Sequence, residues 1–304
     1  MTRLTLWRKK RQRSSSREMA NLKEIRNRIV SVSSTMQITS AMKMVSAAKL
    51  KKAQDAITAM RPYAEKLTGL IQNLSSADNG DQKTPYTQTR PIRKVLLIAI
   101  TSNRGLCGAF NTNIIKNTLS QAKNEYAEAT VEVITIGKKG GDILTKRLDV
   151  KAQHNELLDS AAYAETSVLA QQIMDDFAEG QYDKVVLLYN QFKNAATQLV
   201  NIENYLPIVF QETAEAQTGD YIYEPNQQEI VSELLPKSLK IQLFKALKDS
   251  LAGEHGARMT AMHKATDNAT ELRDQLKLTY NKARQAAITN EILEIVGGAE
   301  ALKG

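Results

Sequence analysis

The sequence predicts an α/β protein whose two ends form a long antiparallel two-helix coiled coil, with an α/β domain inserted between them. Apolar residues near both ends recur at alternating three- and four-residue steps, and short β-branched runs alternate with helical segments in the middle. Such steps keep one narrow stripe of a helix facing a partner helix, as in a coiled coil. Because the arms are the two ends of one chain, pairing them with each other is the simplest arrangement.

The predicted organisation has five segments. They are a basic leader at 1–18, an N-terminal coiled-coil helix at 19–75, the α/β domain at 76–210, a linker at 211–227 and a C-terminal coiled-coil helix at 228–304. Since the arm that starts at 228 is longer than the arm that starts at 19, its end is expected to extend past its partner.

The N-terminal arm carries its apolar seam in two stretches. The seam residues are Leu22, Ile25, Ile29, Val32 and Met36, followed by Ile57, Met60, Ala64, Leu67, Ile71 and Leu74. Between these stretches, at Thr39–Lys43, polar residues fall on the expected apolar positions. We therefore expect the seam to shift phase at Thr39–Lys43.

The C-terminal arm repeats the pattern. Its predicted seam residues are Met262, Ala265, Ala269, Leu272, Leu276, Thr279, Ala283, Ala286, Asn290 and Leu293. Pro236 is predicted to kink this helix or to restart it. Gly253 and Gly256 are expected to weaken it locally, each by roughly 1 kcal/mol relative to Ala.

The middle of the chain predicts a Rossmann-like α/β domain. Lys94–Thr101 and Lys184–Tyr189 are continuous apolar runs, which are typical of strands buried on both faces of a parallel sheet. Val131–Ile136 reads as a further strand, and Thr197–Tyr205 alternates as a strand paired to its neighbour would. The helices predicted between these strands span about 110–128, 139–148 and 164–179. Strands and helices that alternate in this way indicate the α/β class.

Most of the net positive charge belongs to the leader. Residues 1–18 contain seven Lys or Arg and one acid, which accounts for six of the formal net charge of +8. A nucleic-acid-binding domain would spread its charge over a folded face, so no nucleic-acid partner is predicted. The leader fits a targeting peptide, a disordered basic tail, or an over-extended start ahead of Met19. The single cysteine, Cys107, fits a reducing compartment, and the sequence has no apolar run long enough to span a membrane.

Two glycine-containing segments invite a phosphate-binding interpretation. Thr101–Asn111 lies after a buried strand and before a helix, where a doubly wound sheet places a ligand. It lacks both the Lys-Ser/Thr pair of a Walker loop and the glycine pattern of a dinucleotide site. Gly137–Asp142, at the start of a predicted helix, invites the same phosphate-binding interpretation. Both segments are better explained as tight turns at helix starts, so no cofactor site is predicted.

No catalytic or metal site is predicted either. Cys107 would need an adjacent base to act as a nucleophile, but the three histidines, His154, His255 and His263, are distant in sequence. His255 and His263 share a helix face, but they are eight residues apart and too distant to ligate one metal ion directly.

Several segments resemble the gamma subunit of F-type ATP synthase. They are Ala20–Ile29 and Met36–Val45 near the start, Ser102–Gly108 in the middle, and Arg258–Met262, Ala265–Ala269 and Tyr280–Glu291 near the end. The matching segments run in order over about residues 19–302, and the final block is the most diagnostic of the family.

The resemblance implies a central stalk, the rotor shaft that couples proton flow to ATP synthesis or hydrolysis without being catalytic itself. The implied partners are the alpha and beta subunits of the catalytic head, the epsilon subunit and the c-ring of the membrane sector. The resemblance places five residues against the catalytic ring: Met42, Lys43, Arg284, Gln285 and Thr289.

The last turns of the C-terminal arm are expected to expose apolar side chains around much of the helix, and these call for an apolar sleeve. They are Ile288, Ile292, Leu293, Ile295 and Val296. Two rival classes stay open: a coiled-coil scaffold, which would use the same arms, and an α/β nucleotide-binding enzyme.

The resemblance also implies a location. It is peripheral on the cytoplasmic face of the bacterial inner membrane, or on the matrix side of the mitochondrial inner membrane if the leader is a transit peptide. The chloroplast form carries an inserted regulatory dithiol, and this chain has Cys107 alone. Thiol control of that kind is therefore not expected.

Overall fold

A computed structural model describes residues 3–76, 84–208 and 227–300 of the chain. The chain divides into two compact units, which are described separately: residues 44–261, and residues 1–43 together with 262–304. Outside the described residues lie 1–2 of the predicted leader, 77–83 and 209–210 of the predicted α/β domain, all of the predicted linker except residue 227, and 301–304 of the C-terminal arm.

The helices and strands alternate between two very long terminal helices. In chain order they are α1 (Arg3–Ser76), β1 (Lys94–Ile100), α2 (Phe110–Ser120), β2 (Thr130–Ile136), α3 (Lys138–Leu144), β3 (Asp149–Gln153), α4 (Leu157–Ser160), α5 (Tyr163–Ala178), β4 (Lys184–Phe192), β5 (Gln198–Leu206) and α6 (Gln227–Glu300). A single π-helical turn at Gln121–Glu125 follows α2. None of the described helices has the length and apolar content needed to cross a membrane.

The five strands form one sheet with the order β3-β2-β1-β4-β5. Strands β1 to β4 are parallel, and β5 runs antiparallel to β4. At the centre, Leu97 of β1 lies level with Val133 of β2 and Val186 of β4. The order reverses direction between β1 and β4, as in doubly wound sheets, so the predicted Rossmann-like fold is confirmed.

The central strand is buried on both faces, as its apolar run predicts. Leu96, Ile98 and Ile100 pack into one core layer with residues of α5 and α6, whereas Val95 and Leu97 pack into the opposite layer with residues of α2. Successive residues of a strand point to opposite faces, so a strand between two helical layers must be apolar throughout.

Two local predictions in this domain are wrong. The helix predicted at 139–148 ends at Leu144, and the chain then forms the edge strand β3, which was not expected. The segment Asp149–Gln153 alternates half-buried and exposed residues and has little apolar content. Its pairing with β2, rather than its own composition, makes it a strand.

The terminal helices also depart from the expectation. Helix α1 begins at Arg3, ahead of the predicted start at Met19, so α1 and α6 each contain 74 residues. The prediction that the C-terminal arm is the longer one is therefore wrong for the helices as described. Pro236 lies inside α6, so the helix does not restart there, and the alternative expectation of a kink stays a prediction.

The seam of α1 keeps one phase, so the predicted phase shift near Thr39–Lys43 is wrong. Thr39 is 9% exposed and Ser46 is 3% exposed, and both fall on the three- and four-residue steps that continue from Ile25. The Thr39 hydroxyl lies 3.1 Å from the Met36 carbonyl oxygen and 2.8 Å from the Thr266 hydroxyl. A hydroxyl with such partners can occupy a seam position without an unsatisfied buried group.

Near its end, the seam of α6 differs from the predicted seam. At every second seam position, the less exposed residue is the one that follows the predicted residue. Leu272 was predicted to face the partner helix but is 46% exposed, whereas the side chain of Arg273 is 23% exposed. Arg273 directs its guanidinium toward the sulfur of Met36, 3.5 Å away. Further along, the predicted seam residues Thr279, Ala286 and Asn290 are also exposed. Tyr280 and Ala287, which follow the first two of these, are half-buried instead.

Candidate functional site

The turn after β1, at Thr101–Asn111, is held together by its own side chains. Asn111 Oδ1 accepts a hydrogen bond from the Ser102 backbone amide at 2.9 Å, and Asn111 Nδ2 donates to Cys107 Sγ at 3.3 Å. Leu106 has a φ of 63° and Gly108 a φ of 60°, so the chain turns sharply here. Cys107 is 1% exposed, and burial raises the pKa of its thiol. A buried thiol whose pKa is raised is poorly suited to nucleophilic attack.

The second glycine-containing segment, at the start of α3, uses its amides to bind the first. The Lys138 amide donates to Asn103 Oδ1 at 3.1 Å, and the Gly140 amide donates to Thr101 Oγ1 at 2.9 Å. Gly137 has a φ of 110°, and a Cβ at this position would lie 2.7 Å from the Thr101 carbonyl oxygen. These amides therefore serve the contact between two turns rather than an external phosphate.

Arg258 of α6 binds the carbonyl groups of the β1 turn. Its Nη2 donates to the carbonyl oxygens of Arg104 at 3.0 Å and of Gly105 at 3.2 Å, and its Nη1 donates to Glu254 Oε1 at 2.6 Å. Burial raises the pKa of Glu254, and the adjacent Arg258 charge opposes that effect. The ion pair of Arg258 and Glu254 therefore lies at the edge of the sheet where doubly wound domains bind ligands. This ion pair was not predicted, although the i, i+4 spacing of Glu254 and Arg258 is a signal visible in the sequence.

The described residues contain no group of three or more His, Cys, Asp or Glu side chains that could hold a metal ion. The histidines lie in different surroundings. Burial lowers the pKa of His154, and burial with the nearby Arg258 and Lys49 charges lowers the pKa of His255 to about 4. His263 is exposed and lies beside Lys43 and Asp267.

In the unit formed by 1–43 and 262–304, the two arms run antiparallel, as predicted. Thr270 donates to the sulfur of Met36 at 3.3 Å, Thr39 pairs with Thr266 at 2.8 Å, and Lys43 Nζ lies 3.4 Å from His263 Nδ1. As the residue number rises along α1, the number of its partner on α6 falls. The polar contacts between the arms were not predicted, because they join residues more than 200 positions apart in the sequence.

The residues that the resemblance places against a catalytic ring fall into two groups. Met42 and Lys43 are half-buried on α1, next to the contacts between the arms. Arg284, Gln285 and Thr289 are exposed on α6. The Thr289 hydroxyl donates to the Gln285 carbonyl oxygen one turn earlier, at 2.9 Å. The side chains of Arg284 and Gln285 have no hydrogen-bond partner within the described part of the chain.

The last turns of α6 expose a patch of large apolar side chains, here called the apolar tip. The members are Ile288 at 44%, Ile292 at 54%, Leu293 at 65%, Ile295 at 67% and Val296 at 55% exposure. At 100° per residue they cover a sector of about 160° of the helix surface, and Glu291 and Glu294 lie outside it. The apolar side chains therefore lie on one side of the helix, which is a narrower spread than the expected exposure around much of the helix.

The sequence matches a family model described as ATP synthase over residues 21–302. It is 66% identical over 287 residues to the ATP synthase gamma chain of Flavobacterium psychrophilum, which covers 94% of this chain and all of the relative. It is 47% identical over 290 residues to the ATP synthase gamma chain of Geobacter metallireducens, with 94% of this chain and all of the relative covered.

Two solved structures have the same fold. One is a chain of the central stalk and c-ring of the mitochondrial ATP synthase of Tetrahymena thermophila, with a TM-score of 0.58, 25% identity, and coverage of 75% of this chain and 99% of that one. The other is a chain of the Euglena gracilis mitochondrial ATP synthase in rotational state 3, with a TM-score of 0.65, 21% identity, and coverage of 93% and 95%. Together with the curated relatives, the family match shows that this chain belongs to the ATP synthase gamma chain family.

Proposed function

We propose that this chain is the central stalk of a proton-translocating F-type ATP synthase. As a rotor shaft it couples proton flow through the membrane sector to the conformational cycle of the catalytic sites. The observation that carries the proposal is the exposed apolar tip at the end of α6, on a chain of the gamma family. A contiguous exposed apolar patch marks an interaction surface on a soluble protein.

The paired arms supply what a shaft needs mechanically. From 262 to 300, α6 extends about 58 Å at 1.5 Å per residue. The side-chain contacts with α1 at Met36, Thr39 and Lys43 connect the two helices over about two turns. A torque on one helix is therefore carried by both.

The proposed partners at this end are the alpha and beta subunits. The apolar tip would turn in an apolar sleeve formed by the ring, since apolar contacts are non-directional and permit rotation. Arg284 and Gln285 are exposed and can donate charge-assisted and amide hydrogen bonds to the ring. Met42 offers an adaptable apolar contact, and Lys43 and Thr289 complete the proposed set of ring contacts.

The proposal assigns catalysis to the beta subunits and none to this chain. The polar groups of the turn at Thr101–Asn111 are used for internal hydrogen bonds and for Arg258, which supports a structural role for this turn. The epsilon subunit and the c-ring are the remaining proposed partners. The similarity to a chain from the central stalk and c-ring of the Tetrahymena thermophila mitochondrial ATP synthase supports this assignment.

The proposed location is peripheral, on the cytoplasmic face of the bacterial inner membrane and attached through the complex. The bacterial origin of the relatives at 66% and 47% identity supports the bacterial alternative over the mitochondrial one.

The proposal is tested by co-expressing the chain with alpha and beta subunits, either full-length or truncated after Tyr280. We expect the full-length chain to enter a complex with one copy per ring, and the truncated chain to give weaker ATPase activity. A matched control replaces Lys277 and Lys282 by Gln on the same helix and leaves the apolar tip intact. Failure of the full-length chain to join any such complex would favour the coiled-coil scaffold instead. Proton pumping by the whole enzyme in vesicles then tests coupling.

A further inference from the structure

Lys43 and Asp267 both lie against the same nitrogen of His263. Lys43 Nζ lies 3.4 Å from His263 Nδ1, across the pair of arms. Asp267 Oδ2 lies 3.4 Å from the same Nδ1, one turn further along α6. The two contacts need opposite states of this nitrogen, because it must be unprotonated to accept from the ammonium group and must carry a hydrogen to donate to the carboxylate.

His263 differs from the two other histidines of the chain. His154 and His255 have lowered pKa values, chiefly because of burial, and the pKa of His255 falls to about 4. His263 has a side chain that is 55% exposed, so protons reach it without any opening of the fold. Histidine is the side chain that ordinarily changes charge over the range in which cellular pH varies.

The charged groups around the His263 ring come from both helices of the pair. They are Lys43 from α1 and Asp267 from α6, and the preceding α1 seam residue, Thr39, is uncharged and bonded to Thr266. A positive ring beside the Lys43 ammonium is repelled, whereas beside the Asp267 carboxylate it is attracted. When the ring gains a proton, both effects favour its contact with Asp267 over its contact with Lys43.

We propose that His263 is a proton-operated switch in the pairing of the two arms. With Nδ1 unprotonated, it accepts a hydrogen bond from Lys43 and connects α1 to α6. When Nδ1 takes a proton from the solvent, it donates to Asp267 within α6, and Lys43 is released from the contact. The switch is independent of the proposed function, although under that function it would control the availability of a ring-contact residue.

The test is an NMR titration of the isolated full-length chain, labelled with 15N in histidine and 13C at lysine Cε, from about pH 8 to about pH 5.5. The Lys43 resonance is assigned by its loss in Lys43→Arg. We expect it to change with the same midpoint as the Nδ1 resonance of His263. The variant Asp267→Asn removes the carboxylate that accepts from the protonated ring, so the release of Lys43 should be less complete at the acidic end of the titration.

The control variant is His263→Asn, which places an amide oxygen near the position of Nδ1 but does not titrate in this range. The Lys43 step should vanish in this variant, while circular dichroism shows unchanged helix content at both ends of the titration. A Lys43 resonance that stays constant as His263 titrates would overturn the proposal. So would a step that persists in His263→Asn.

Discussion

The guanidinium of Arg258 lies 3.0 Å from the carbonyl oxygen of Arg104, at the edge of the sheet where doubly wound domains bind their ligands. The arginine belongs to α6, whereas the carbonyl belongs to the turn that follows β1. A phosphate-binding turn presents backbone amides, but here the turn presents carbonyl groups to a cation of the same chain. The turn after β1 thus holds the domain against the part of α6 that belongs to the same unit.

The first prediction concerns the ion pair that makes this attachment. The side chains of Arg258 and Glu254 are only 10% and 9% exposed, so Arg258→Ala leaves a buried carboxylate without its counter-ion. We expect a loss of about 3–5 kcal/mol in the free energy of unfolding, measured by urea denaturation. Adding Glu254→Gln should recover part of the loss, because the carboxylate charge is then absent.

The matched control for this pair is Lys51→Ala. Lys51 and Asp55 form an i, i+4 pair on α1 with side chains 75% and 61% exposed. Solvent screens such a pair, so the variant should cost less than about 1 kcal/mol. If Arg258→Ala destabilised the chain no more than Lys51→Ala, the attachment would have no energetic importance.

The second prediction concerns Glu132, whose carboxylate has two donors. Lys94 Nζ lies 2.5 Å from Oε1, and the Tyr182 hydroxyl donates to Oε2 at 2.6 Å. Burial by itself would raise the pKa of Glu132, but the hydrogen bonds from Lys94 and Tyr182 outweigh burial and the pKa is lowered. A carboxyl group with a lowered pKa stabilises the fold above its unfolded-state pKa, and the contribution is lost as pH falls through the folded-state value.

We therefore expect Glu132→Gln to be less stable than the wild type at neutral pH, with the difference shrinking below about pH 4.3. Urea denaturation at intervals between neutral and acidic pH measures this. Glu233→Gln is the control, because Glu233 also has a lysine partner, Lys237, but its side chain is 71% exposed. A gap between wild type and Glu132→Gln that stays constant with pH would contradict the assignment.

The third prediction concerns two glycines of α6 that meet different surroundings. A Cβ at Gly256 would lie 3.2 Å from both the Cα and the carbonyl oxygen of Ala195, whereas a Cβ at Gly297 would have no neighbour within 4 Å. Gly→Ala in a helix gains up to about 1 kcal/mol from propensity alone. We expect Gly297→Ala to stabilise the isolated chain and Gly256→Ala to destabilise it, because backbone atoms of the β4–β5 turn cannot move aside easily.

Thermal unfolding of the two variants measures the difference. Equal stabilisation by both substitutions would mean that the close approach at Gly256 is not required. The sequence alone predicts Gly256 only to weaken the helix locally, because Ala195, the neighbour that requires a glycine here, is far away in the chain.

Much of the fold could be predicted because local patterns determine it. The apolar runs at β1 and β4 are buried on both faces only if helices cover both sides of the sheet. Both strands were found where expected. Strand β3 was missed, because its residues alternate charged and small side chains and depend on β2 for pairing. A strand that is stabilised by its neighbour leaves little signal in its own composition.

The candidate site shows the same division. The apolar tip could be predicted, because the sequence itself shows several Ile, Leu and Val residues close together at the end of the predicted helix. The seam position of Arg273 could not, because local hydrophobicity favours Leu272, whereas the position of Met36 on the other helix favours Arg273. The register of two arms separated by more than 200 residues is set by packing, and no local pattern encodes it.

The last prediction separates folding from assembly at the apolar tip. Ile295 is 67% exposed and lies on the side of α6 shared with Ile292 and Val296. A charge at an exposed position away from other contacts usually changes stability by no more than about 0.5 kcal/mol. We therefore expect Ile295→Asp to unfold in urea like the wild type when the chain is alone.

In the complex the same substitution should act strongly, because an apolar sleeve would have to desolvate the new carboxylate. Ile295→Asp should reduce the yield of the complex with alpha and beta subunits, or its ATPase activity, by tenfold or more, since about 1.4 kcal/mol is a factor of ten. Ile295→Leu keeps the apolar surface and should assemble normally. Normal assembly and activity of Ile295→Asp would mean that the tip does not enter an apolar sleeve, and the proposed ring contact at this end of the helix would then have to be abandoned.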